Sequence, residues 1–109
     1  MTVRELANLE DFTALCIPAP EREICGAYVG DLLSWVMGKA ESKNVWVTIM
    51  SNVNTIAVAS LTDVSCIVLA EGVRLDDDVL MVANDKCINV IMSNLSAYDI
   101  SLRLSVLGI

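Results

Sequence analysis

The chain has 109 residues, 55% of them apolar, and a mean hydropathy of +0.60. That length suits one domain with one core, and so high an apolar share on so small a body is expected to leave part of it facing a partner. Fourteen acidic residues against seven scattered basic ones give a net charge of −7, and histidine is absent. A clustered basic face for nucleic acid, attraction to an anionic membrane surface, and the commonest general base and metal ligand are thereby excluded.

Residues 1–11 carry Glu5, Glu10 and Asp11 and have no long apolar core, so no signal peptide is expected. Thr2 and Glu5 have capping-box spacing, which predicts a short helix over residues 3–8. Residues 12–17 form the first predicted strand, ended by Pro18 and Pro20, which cannot continue a ladder. Residues 21–27 are a loop or a short edge strand. A helix is predicted over residues 29–37, stopped by Gly38, with Val29, Leu32, Leu33, Val36 and Met37 as its core-facing stripe. Tyr28 and Trp35, seven residues apart, would share a flank of that helix, as a satellite of the core or as part of an association surface.

The most informative stretch is 45–72. Two short runs rich in β-branched residues, 45–50 and 66–70, read as strands buried on both faces. Between them an Ala-rich helix over 54–61 follows the polar joint 51–55, and the three together predict a parallel β-α-β unit. The window between Lys43 and Asp63 is uncharged, but the polar groups in its middle would be costly in hydrocarbon. No membrane span is expected, and the location is expected to be cytoplasmic. Ile56, Val58 and Ala59 belong to a helix that is apolar all round and must be covered on more than one side. Its own sheet supplies one cover; a second subunit or a neighbouring helix supplies the other. Tyr28, Trp35, Ile56, Val58 and Ala59 are accordingly the candidate dimer interface.

Asp76, Asp77 and Asp78 precede an apolar segment with no second carboxylate cluster beside them, a pattern for a helix start rather than a metal site. A strand over 88–92 follows, then a helix over 97–107 with Ser96 as cap and Asp99 at the capping-box position. The alternation predicts a single three-layer α/β/α domain with a mostly parallel central sheet. Cys16, Cys25, Cys66 and Cys87 lie far apart with no C-x-x-C pair, and read as buried thiols rather than a disulfide or a metal site.

In open α/β sheets ligands gather beyond the carboxyl ends of the strands, where helix N-termini offer free N–H groups. Three polar junctions qualify: Ser51, Asn52, Asn54 and Thr55; Gly72 and Arg74; and Ser93, Asn94 and Ser96. They can cap helices alone, or hold an anion such as a nucleotide phosphate beside Arg74. No phosphate loop and no Gly-x-Ser-x-Gly elbow is present, and Cys25 has no histidine to activate it. No catalytic residue, metal site or cofactor is therefore predicted, and the chain is not expected to be an enzyme.

The segment Glu21-Arg22-Glu23-Ile24-Cys25-Gly26-Ala27-Tyr28-Val29-Gly30-Asp31-Leu32-Leu33-Ser34 resembles the DRTGG domain family, most specifically in Gly-x-Tyr-Val-Gly-Asp-Leu-Leu-Ser. The likeness continues through Trp46-Val47-Thr48-Ile49, Val53-Asn54, Ala57-Val58-Ala59 and Ser96-Ala97-Tyr98. It departs where the family name expects Asp-Arg and Thr-Gly-Gly, which here are Glu21-Arg22 and Cys25-Gly26-Ala27. The resemblance implies a fold like the N-terminal domain of HPr kinase/phosphorylase, without the kinase's phosphate loop. It also implies a regulatory or dimer-forming module, as in phosphotransacetylases and CBS-containing pyrophosphatases. Free-standing members beside iron-only hydrogenase genes imply a redox-linked partner. The expectation is a non-catalytic regulatory or scaffolding homodimer accessory to a metabolic or hydrogenase system, with an unidentified partner protein. The alternative is a sensor binding an adenine nucleotide or a similar anion at the three junctions.

Overall fold

Val45-Trp46-Val47-Thr48 and Cys66-Ile67-Val68-Leu69 have no polar face to offer solvent, and every one of these side chains is buried. They form the middle of the sheet in the computed structural model, which describes residues 1–109. The elements in order are α1 (Val3–Ala7), β1 (Thr13–Cys16), β2 (Ala27–Val29), α2 (Leu33–Lys39), β3 (Val45–Thr48), α3 (Val53–Thr62), β4 (Cys66–Leu69), α4 (Asp77–Asp85), β5 (Val90–Met92) and α5 (Ala97–Val106). The strand order is β1-β5-β4-β3-β2. Strands β2 to β5 are parallel, and β1 runs antiparallel to β5 with a register break between Ala14 and Cys16.

Side chains alternate across a strand, so each central strand feeds two cores. Val45, Val47, Cys66 and Val68 join Val3 and Leu6 of α1 and Ile100 and Leu104 of α5 on one face. Trp46, Ile67 and Leu69 join Val36 of α2, Ile56 and Ala59 of α3 and Ala83 of α4 on the other. This is the expected three-layer α/β/α domain with a mostly parallel sheet. No helix is long and apolar enough to cross a membrane.

Local chemistry sets several boundaries. Thr2 and Glu5 form the complete capping box of α1. Ser96 Oγ accepts from Asp99 N–H at 3.1 Å to start α5. Gly26 has φ +72°, and a Cβ there would lie 3.1 Å from Asn44 Nδ2, so glycine suits both the backbone and the space. Asn44 itself holds Glu41 N–H and Cys25 C=O, each at 2.9 Å.

The helix predicted over residues 29–37 is corrected. Tyr28 and Val29 instead pair with Trp46 and Val47 in the β2–β3 ladder, and α2 begins at Leu33 and continues through Gly38 to Lys39. Pairing with β3 overrides the local helical spacing, and aromatic and β-branched residues suit a strand. Of the expected stripe only Val36 is fully buried; Val29, Leu32 and Met37 are exposed and Leu33 is half-buried. Tyr28 and Trp35 therefore do not share a helix flank.

The interface expected on the second α/β helix is also corrected. Ile56, Val58 and Ala59 are buried within the chain's own core, because α3 is flanked by α2 and α4 as well as backed by the sheet. A neighbouring helix, not a second copy, covers them. The outer side of α3 is solvent-exposed, with Leu61 at 75% and Val53 at 49%.

Asp63 ends α3 in a left-handed conformation, φ +60°. Its carboxylate accepts from Ser42 Oγ at 2.6 Å and meets Arg22 Nη2 at 3.1 Å. The Ser42 bond first, and the Arg22 charge after it, hold this carboxyl below its ordinary value of 3.8. Hydrogen bonds from Thr2, led by its backbone N–H, likewise hold Glu5 below 4.5. A pKa depressed by folding contributes stability that is present above the unfolded value and lost as pH falls through the folded one. Urea midpoints measured down a pH series should thus fall once pH drops below these ordinary values. Asp63→Asn should reduce stability at neutral pH and flatten that acid limb; an unchanged limb would refute the assignment.

Candidate functional site

Because β3, β4 and β5 are adjacent and parallel, the segments that follow them open on one rim of the sheet. At the end of β3, buried Thr48 donates its hydroxyl to Asp31 Oδ1 at 2.8 Å, and Ile49 N–H donates to the same oxygen at 2.9 Å. Asn52 caps α3, its Oδ1 accepting from Asn54 N–H at 2.9 Å and Thr55 N–H at 3.3 Å. Ser51 is half-buried and Asn54 exposed, whereas Thr55 is fully buried with an Oγ1 that has no hydrogen-bond partner.

The other two junctions are closed on each other. Glu71 and Gly72 both adopt positive φ, +60° and +72°. Their N–H groups donate to Leu95 C=O and Ser93 C=O, each at 2.8 Å. Ser93 is buried, and its Oγ accepts from Leu95 N–H at 3.1 Å. Gly72 at φ +72° is in the left-handed region that favours glycine, and a Cβ there would come within 2.8 Å of Asn94 Oδ1, the tip of an exposed side chain that would have to turn aside. The structure thus brings Gly72, Ser93 and Asn94 into one zipped pair of turns, with Ser96 capping the helix beyond. Arg74 is exposed and makes no ion pair.

Electrostatically the helix starts differ. Asp77 and Asp78 occupy the first turn of α4 and Asp99 that of α5, while α3 has no acid in its first turn. An anion would be repelled from the first two and tolerated at the third, where Asn52 already takes two of the free N–H groups. Neither concavity of the molecule lies on the rim. One, of about 410 Å³, is lined by Leu15, Cys16, Leu80, Met81, Asn84 and Asp85. The other, of about 420 Å³, lies among Leu9, Glu10, Phe12, Arg103, Val106 and Leu107.

All four cysteines are free. Burial pushes the Cys66 thiol up to about 12 and raises Cys16 as well, which makes both poor nucleophiles. Cys25 and Cys87 are exposed, correcting the expectation of four buried thiols. The rim residue that the sequence did not single out is Asp31. Its signal is the Gly30-Asp31 pair directly after a strand, which the helical spacing of residues 29–37 masks.

The architecture is a DRTGG-related fold. One solved structure that it resembles is the crystal structure of the CBS and DRTGG domains of the regulatory region of Clostridium perfringens pyrophosphatase, complexed with the activator diadenosine tetraphosphate. The TM-score is 0.62 at 13% sequence identity, over 91% of this chain and 46% of that one. This chain therefore spans about half the length of that structure, and the likeness at this identity is one of fold. No protein-family model matches the sequence, and no curated protein matches it.

Proposed function

We propose that this chain is a non-catalytic regulatory domain of DRTGG type that works as a homodimer. The observation that carries this is the apolar surface left after folding: Val29, Leu32, Trp35, Met81, Tyr98 and Val106 are all exposed although the molecule has two filled cores. Scattered apolar side chains are ordinary on a monomer, but this density on a small domain favours association. The regulatory setting of the structural counterpart supports the same assignment. Size-exclusion chromatography with light scattering at micromolar concentration should return twice the 11.8 kDa chain mass. A mass of one chain overturns the homodimer.

A second function, adenine-nucleotide sensing, is favoured by the activator in the counterpart's complex and by the carboxylate-free start of α3. Ser51, Asn52 and Asn54, with Arg74 as a cation that makes no ion pair, would be its contacts. Titration calorimetry with ATP, AMP and diadenosine tetraphosphate should then give heat that Arg74→Ala diminishes; silence across the three removes this function. A role accessory to a metabolic or hydrogenase system rests on the family resemblance, and co-purification from the native host tests it.

A further inference from the structure

We propose that β2 forms the centre of the homodimer interface, pairing antiparallel with β2 of a second copy about a two-fold axis that passes between the two Tyr28 residues. The interface presupposes the homodimer proposed above. Strand β2 is an edge of the sheet, bonded on one side only, to β3. Gly26 C=O accepts from Val45 N–H at 3.0 Å, and Gly30 N–H donates to Val47 C=O at 3.1 Å. Alternate residues of a parallel strand bond to the same side, so Gly26, Tyr28 and Gly30 face β3. Ala27 and Val29 then turn their N–H and C=O groups outward, where the chain offers no partner.

The two edges of this sheet are not alike. Strand β1 carries a register break and runs into Pro18 and Pro20, devices that blunt an edge against pairing. Strand β2 keeps an unbroken register with β3, and Gly26 to Gly30 contain neither proline nor charge. Two copies of β2 are self-complementary. With the axis between the Tyr28 residues, Ala27 faces the partner's Val29 and each such pair exchanges both of its backbone bonds.

Charge favours a second copy at this place. Residues 26–40 hold Asp31 (−1) and Lys39 (+1), a sum of zero, in a chain whose net charge is −7. Two acidic bodies approach here with the least repulsion. A stable dimer needs about 800 Å² from each partner, about a seventh of this chain's 5599 Å² surface. A three-residue strand is too small alone, but exposed apolar side chains flank it on both faces of the sheet: Val29 (46%) on the side of its neighbour Val47, and Leu32 (61%) and Trp35 (60%) at the start of α2, which packs on the side of Trp46.

Val29→Pro tests the pairing, because proline at this position deletes an outward N–H that bonds nothing within the chain. The wild type should run as a dimer and Val29→Pro as a folded monomer by light scattering and circular dichroism. A second variant, Tyr28→Cys with the exposed thiols removed as Cys25→Ser and Cys87→Ser, should give a covalent dimer on a non-reducing gel after mild oxidation. Opposed residues at a non-hydrogen-bonded position lie about 4.5 Å apart, within disulfide reach. If Val29→Pro does not fold, the crosslink decides by itself. A dimer retained by folded Val29→Pro, or no crosslink in Tyr28→Cys from a dimeric protein, overturns the β2 interface and leaves the homodimer standing. A monomeric wild type overturns both.

Discussion

Replacing Trp46 by alanine is expected to remove a large share of the domain's folding stability. Trp46 is the largest fully buried side chain, lying on β3 with Ile56, Ile67 and Val36 in the same core. Its indole Nε1 donates to Gly30 C=O at 2.9 Å, which ties the end of β2 to β3. Truncating a buried Trp to Ala costs about 3–5 kcal/mol, against a total of about 5–15 kcal/mol for an ordinary domain. The unpartnered Gly30 carbonyl adds to that loss. Trp46→Phe keeps most of the bulk and drops the donor, and should cost about 1–2 kcal/mol more than its volume change alone. Urea titration followed by far-ultraviolet circular dichroism ranks the two. An alanine variant within about 2 kcal/mol of wild type would mean that this face of the sheet repacks freely.

The second large effect is expected at Asn89, a buried polar side chain at the entry to β5. Its Oδ1 accepts from Ala19 N–H at 2.9 Å, and its Nδ2 donates to Ala19 C=O at 2.8 Å and Ser65 C=O at 2.9 Å. One amide therefore clamps the Pro18-Ala19-Pro20 turn to the start of β4. Asn89→Ala strands three backbone groups, the buried Ser65 C=O and the half-buried Ala19 N–H and C=O, and should cost about 2–4 kcal/mol even though little apolar contact is lost. Asn89→Leu should not rescue it, since the lost element is the hydrogen bonding and not the volume. Hydrogen exchange gives a local check: Ala19 N–H should lose protection in both variants under conditions where Val47 and Val68 amides keep theirs.

What could be read from the residues depended on the range of the forces involved. Strands β3, β4 and β5 were legible because burial on both faces leaves a continuous apolar run. The cap of α1 and that of α5 were legible because a cap acts within three residues. Strand β2 was not, since its register is fixed by Trp46 and Val47, eighteen residues downstream of their partners Tyr28 and Val29, while the local spacing imitates a helix. Helix α3 was correctly seen to need cover on more than one side, but periodicity does not say who provides it. Two neighbouring helices do, so Ile56, Val58 and Ala59 are core residues. At the rim, the three junctions were foreseen to lie together because parallel strands place them there. Their closure through Glu71 and Gly72 depends on backbone angles that the polar composition does not encode. The roles of Asn44, Asn89 and Asp31 are not written locally for a related reason: each bonds backbone groups far away in sequence.

The pairing of β1 with β5 joins Thr13 to Met92 across almost the whole chain. Synthesis on the ribosome delivers β1 early and its only strand neighbour late, so the sheet cannot close until Val90–Met92 has left the exit tunnel. Until then Thr13–Cys16 has no strand to pair with, so the first strand made is the last to join the sheet.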